Sequence, residues 1–168
     1  MSYEINLIAI DQENPIHLNS VNKVLLHNEV ENYEINRYAE IWTFFSNTKG
    51  ILYSIVEEVN EGYYSSFTLC DSDFDTLVPE EALPNWVSED VKENLTSFIL
   101  KDDSYAEVIN IIEYVLECAP RKRILFQTRY QGGDYEIILG TMKISKFKTL
   151  LGQKKILFNV CYILESDS

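Results

Sequence analysis

Between Lys49 and Lys92 the chain has no lysine or arginine, yet ten aspartates and glutamates fall in that interval. A surface so depleted of cations repels phosphate backbones and anionic lipid headgroups. Nucleic acid and membrane are therefore not expected as partners. Histidine is almost as scarce. His17 and His27 are the two present, ten residues apart and distant from any cysteine. With no HExxH and no CxxC, zinc chemistry has no ligand set. The three cysteines, Cys70, Cys118 and Cys161, are an odd number without short spacing, which excludes a disulfide framework. Each lies in or beside an apolar segment and is read as a reduced, buried thiol. Six glycines supply no G-x-S-x-G, P-loop or G-x-G-x-x-G, and Gly132-Gly133 reads as a hairpin turn. No apolar run nears the roughly 20 residues of a membrane span, and MSYEINLIAI lacks the basic start of a secretory signal. A cytoplasmic location is expected.

What the chain does have is negative charge, and the charge is unevenly placed. The net value is −13 over 168 residues. Residues 1–117 carry 23 acidic and 5 basic side chains, whereas residues 118–168 carry 4 and 9. Within the cation-free interval, CDSDFDTLVPEE puts Asp71, Asp73 and Asp75 on alternate positions, with Glu80 and Glu81 close behind. A helix–loop–helix calcium site needs glycine at its sixth position and glutamate at its twelfth. Counted from Asp71 those positions are Thr76 and Ala82, so no dedicated metal site is expected. In an extended segment the three aspartates would point one way. Together with Phe74 and Trp86 they make an acidic rim with aromatic anchors, the chemistry of a face for a basic protein partner. A bland alternative is that both aromatics pin a loop to the core.

Hydrophobic periodicity predicts the elements. Residues 3–10 alternate as a strand, and residues 19–29 read as a short helix capped by Asn19 or Ser20. AEIWTFF and ILYSIVEEV, within residues 38–60, fit strand or helix, with a turn between Asn47 and Gly50. YYSSFTLC (63–70) reads as a strand. Ser88 caps a predicted helix whose stripe is Val91, Leu95, Phe98 and Ile99. A second helix, begun by Ser104 and the aspartates before it and stopped by Pro120, buries Tyr105, Val108, Ile109, Ile112, Val115 and Leu116. RILFQTRY and YEIILGTM then form a hairpin about QGGD, and ISKFKTLLG is a short helix ended by Gly152. ILFNVCYIL, apolar on both sides, is an inner strand. The expected fold is a single α+β domain over residues 1–168, an antiparallel or mixed sheet with helices packed on it.

The tail MKISKFKTLLGQKKILFNVCYIL resembles the closing segment of small bacterial immunity proteins of polymorphic or contact-dependent toxin systems. In those a strand, a short helix with a phenylalanine and paired leucines, and a final strand with an N-x-C-Y stretch recur. The likeness spans about residues 141–164. It implies a cytosolic, non-enzymatic protein without cofactor that binds and neutralises a cognate toxin domain. An acidic face suits a nuclease toxin with a basic cleft. Asp71, Asp73, Phe74, Asp75, Glu80, Glu81 and Trp86 are the candidate contact residues. The alternative is an acidic DNA mimic or anti-defence protein acting on a DNA-binding host factor. An enzyme on an unfamiliar scaffold would instead gather His17, His27 or Cys161 with carboxylates.

Overall fold

A computed structural model describes residues 3–14, 16, 24–28, 50–60, 63–66, 83–93, 95–130 and 137–168. Seven strands among them form one mixed sheet: β1 (Tyr3–Ile10), β2 (Val24–Asn28), β3 (Gly50–Asn60), β4 (Tyr63–Ser66), β5 (Arg123–Tyr130), β6 (Ile137–Lys143) and β7 (Val160–Glu165). Their order is β2-β3-β1-β5-β7-β6. Val56 of β3 pairs with both Leu25 of β2 and Ser66 of β4, so β4 lies on the flank of β3 that β1 occupies nearer its start. All pairings are antiparallel except β6 with β7.

Helices α1 (Glu89–Lys92), α2 (Asp102–Cys118) and α3 (Ile144–Gly152) complete the described elements. In α2 the stripe Val108, Ile109, Ile112, Val115 and Leu116 is buried as its spacing requires, joined by Ile111, and Tyr105 is half-buried. Asp102 and Asp103 stand in the first turn, where carboxylates offset the positive end of the helix dipole. Helices α2 and α3 cover one face of the sheet, formed by Leu7, Tyr53, Ile124, Phe126, Val160 and Tyr162. Phe126 is the hub of that core. Its ring lies 4.9 Å from Phe147 and 5.9 Å from Phe98, both edge-on, as aromatic quadrupoles favour. The other face of β1, β5 and β7 carries a smaller cluster of Ile8, Ile10, Leu125, Cys161 and Ile163. β7 is thus an inner strand with both faces buried, as its apolar composition demands.

The structure corrects several expectations. Residues 24–28, expected in a helix, are strand β2, paired with β3 from Glu57 to Tyr53. An 11-residue helix is marginal alone, and a neighbouring strand with open hydrogen bonds outcompetes it. The helix begun after Ser88 stops at Lys92, and Leu95–Leu100 continue without helix, beside residues 156–158. There the Phe98 N–H donates to the Ile156 carbonyl at 2.6 Å and the Phe158 N–H to Thr96 at 2.9 Å. Leu95, Phe98, Ile99 and Leu100 are all buried, which one helical stripe over SFIL could not achieve.

β5 and β6 are not hairpin partners, because β7 lies between them. The parallel β6–β7 pair requires a crossover of a dozen or more residues, and α3 with the turn after it provides one. Gly152 is the last residue of α3, as expected, but it is not the left-handed residue that closes the helix. The left-handed residue is Lys154, at φ 60°. Its N–H bonds to Leu151 at 3.1 Å and the Lys155 N–H to Leu150 at 2.9 Å, a Schellman ending with lysine where glycine is usual. Cys161 is buried but Cys118 is exposed at the end of α2, contrary to the reading of both as core thiols. Cys70, residues 19–23, 38–49 and 67–70, and the QGGD turn lie outside the described residues.

Candidate interaction surface

Trp86 owes its position to the residues on either side. Leu83 and Val87 are buried in the main core. The Val87 N–H donates to the Pro84 carbonyl at 3.1 Å, closing a four-residue turn with Asn85 and Trp86 at its centre. Both central residues project outward, and Trp86 is 69% exposed, the one large exposed hydrophobic side chain among the described residues. The reading of Trp86 as a loop anchor therefore fails, since Leu83 and Val87 do that work. Covering the open part of an indole is worth about 3 kcal/mol to a partner, from its area alone.

The residues after the turn are acidic. Ser88 occupies the N-cap position of α1, without a side-chain cap bond, and Glu89, Asp90 and Glu93 are exposed. Lys92 lies against Glu89 at 2.8 Å, an exposed pair of small energetic weight. Asp71, Asp73, Phe74, Asp75, Glu80 and Glu81 lie outside the described residues.

Four cations of the basic tail pair with acids outside the cation-free interval. Arg121 pairs with Asp11, and Lys148 of α3 with Glu113 of α2 at 2.6 Å. The Glu113 hydrogen bond raises the Lys148 pKa. Glu165 of β7 stands between its register partners, Arg123 on β5 and Lys143 on β6. Hydrogen bonding to Arg123 holds the Glu165 carboxyl below its ordinary value. None of these three acids belongs to the cation-free interval.

The sheet also decides one catalytic possibility. His27 on β2 and Cys161 on β7 are separated by β3, β1 and β5. Four strand spacings put them roughly 19 Å apart, too far for a nucleophile and its base. Among the described residues no three His, Cys, Asp or Glu side chains converge as metal ligands would, and no helix is long and apolar enough to cross a membrane.

No family model, curated protein or solved structure matches this chain.

One arrangement escapes sequence reasoning. On the sheet face away from the helices, Ser54, Asn6, Gln127 and Cys161 occupy adjoining register positions on β3, β1, β5 and β7. All four are buried. The Ser54 hydroxyl donates to Asn6 Oδ1 at 2.9 Å. Isolated polar letters in four strands give no sign of this row until the strand order is known.

Proposed function

We propose that this chain is a non-enzymatic immunity protein that binds and neutralises a cognate bacterial toxin domain, a nuclease, through its acidic middle region. The observation that carries the reading is Trp86, held out by a turn whose neighbours are core residues, at the edge of an interval with ten acids and no cation. Tryptophan is the side chain most over-represented among residues that dominate protein interfaces. Carboxylates around such an anchor accelerate encounter with a basic cleft and disfavour other partners.

In this reading Trp86 fills an apolar recess beside the toxin's catalytic groove. Asp71, Asp73, Asp75, Glu80 and Glu81 stand where substrate phosphates would lie, and Phe74 is a second anchor. Glu89, Asp90 and Glu93 extend the negative rim. Arg121, Arg123, Lys143 and Lys148 are engaged by Asp11, Glu113 and Glu165, none of which belongs to the cation-free interval. The resemblance of residues 141–164 to immunity proteins points the same way.

The test is co-purification with the toxin domain encoded beside the gene, followed by a nuclease assay. Stoichiometric inhibition, weakened by Trp86→Ala, supports the reading. Undiminished nuclease activity at saturating concentrations of the chain would refute it. Duplex DNA that displaces the chain from a non-toxin host factor would instead favour the DNA-mimic alternative.

A further inference from the structure

The Gln127 side chain is 1% exposed, and neither its Oε1 nor its Nε2 has a hydrogen-bond partner. Its register neighbours do not complete it. Asn6 on β1 and Cys161 on β7 flank it in register, and neither gives its carboxamide a hydrogen bond. A dry, unpaired carboxamide here would be among the costliest groups in the fold, since a buried polar atom without a partner lowers the folding constant by roughly tenfold or more. Native interiors usually meet this need with a bound water making two to four hydrogen bonds.

We propose that Gln127 forms one side of an internal binding position on the sheet face away from the helices, occupied by an ordered water that donates to Oε1 or accepts from Nε2. The site belongs to the row of Ser54, Asn6, Gln127 and Cys161, and it is independent of the acidic rim. Its role is to complete the polar row across four strands.

A high-resolution crystal structure of the full chain tests this directly. Density for a water within about 3.2 Å of either amide atom is expected. Apolar packing against both atoms, with no such density, would overturn the proposal. Gln127→Met adds a test by sign. If the amide is hydrated, the substitution removes satisfied hydrogen bonds and lowers the folding constant several-fold. If the amide is dry, the same change relieves two unpaired atoms and raises the constant, which also overturns the proposal. Should the variant not fold, the density around Gln127 in the unsubstituted chain decides alone.

Discussion

The Tyr162 hydroxyl accepts a hydrogen bond from the Leu157 N–H at 3.0 Å, tying β7 back to the turn that leads into it. The Leu157 carbonyl is engaged separately, by the Thr128 hydroxyl at 3.3 Å. At Asn159, the backbone turns left-handed with φ 59°, a conformation asparagine tolerates better than most residues. Burial pushes the Tyr162 phenol well above its ordinary pKa, so it stays neutral across the working pH range. Tyr162→Phe leaves a buried amide without its acceptor while keeping the ring. We expect a loss of about 1–3 kcal/mol in urea denaturation. A change under about 0.5 kcal/mol would mean that the hydroxyl does not hold the turn.

Lys154 is the easiest site at which to gain stability. A side chain in the left-handed region costs roughly 1 kcal/mol that glycine does not incur. Lys154→Gly should raise stability by about that amount, less the entropy glycine restores to the unfolded chain. Gly152→Ala, two residues earlier, should also be neutral or stabilising. A methyl there meets only the Tyr105 hydroxyl, at an ordinary 3.8 Å, and the backbone is helical. Clear destabilisation by both changes in thermal melts would contradict the Schellman ending.

The Arg123–Glu165–Lys143 row makes a prediction about acid. Glu165 has a lowered pKa in the folded chain, so its contribution is present above the unfolded glutamate value and fades as pH falls through the folded value. An NMR titration should find Glu165 protonating below ordinary glutamates. Arg123→Met should move that transition upward, because Arg123 is the main cause of the shift. An unaltered Glu165 titration in the variant would show that the ion pair is not formed in solution.

Phe126 should be the costliest single truncation in the aromatic core. It contacts Phe98, Phe147 and Tyr162 and is fully buried. Phe126→Ala should cost about 3–5 kcal/mol, measured by chemical denaturation. Trp86→Ala should leave stability within about 0.5 kcal/mol, since the ring is mostly in solvent. A large loss on removing Trp86 would return it to the role of loop anchor.

Strong local periodicity made α2, α3, β1 and β7 legible from sequence, because one apolar stripe or alternation fixed both element and buried face. The errors arose where a tertiary partner overrode local pattern. Val24–Asn28 found β3, and Leu95–Leu100 found residues 156–158. Adjacent strands flanking Gly132-Gly133 suggested a hairpin, yet β7 inserted between them, a non-local pairing that no local signal announces. Of the candidate contact residues, Trp86 is the one among the described residues. Its exposure could not be read from a sequence where neighbours Leu83 and Val87 are equally apolar but buried. Asn6 and Gln127 are single polar residues within apolar strands, and only the register shows them side by side in the interior.

The measurement closest to the central proposal is a binding titration with the neighbouring toxin domain at low and raised salt. It would compare the unaltered chain with Trp86→Ala and with the Asp73→Lys, Glu80→Lys double variant. Tight binding that weakens with salt is expected for the unaltered chain. Trp86→Ala should cost about 2 kcal/mol, near 30-fold in Kd, and the charge reversals should slow association and flatten the salt dependence. Equal affinities and equal salt slopes for all three chains would contradict an acidic, tryptophan-anchored inhibitor surface.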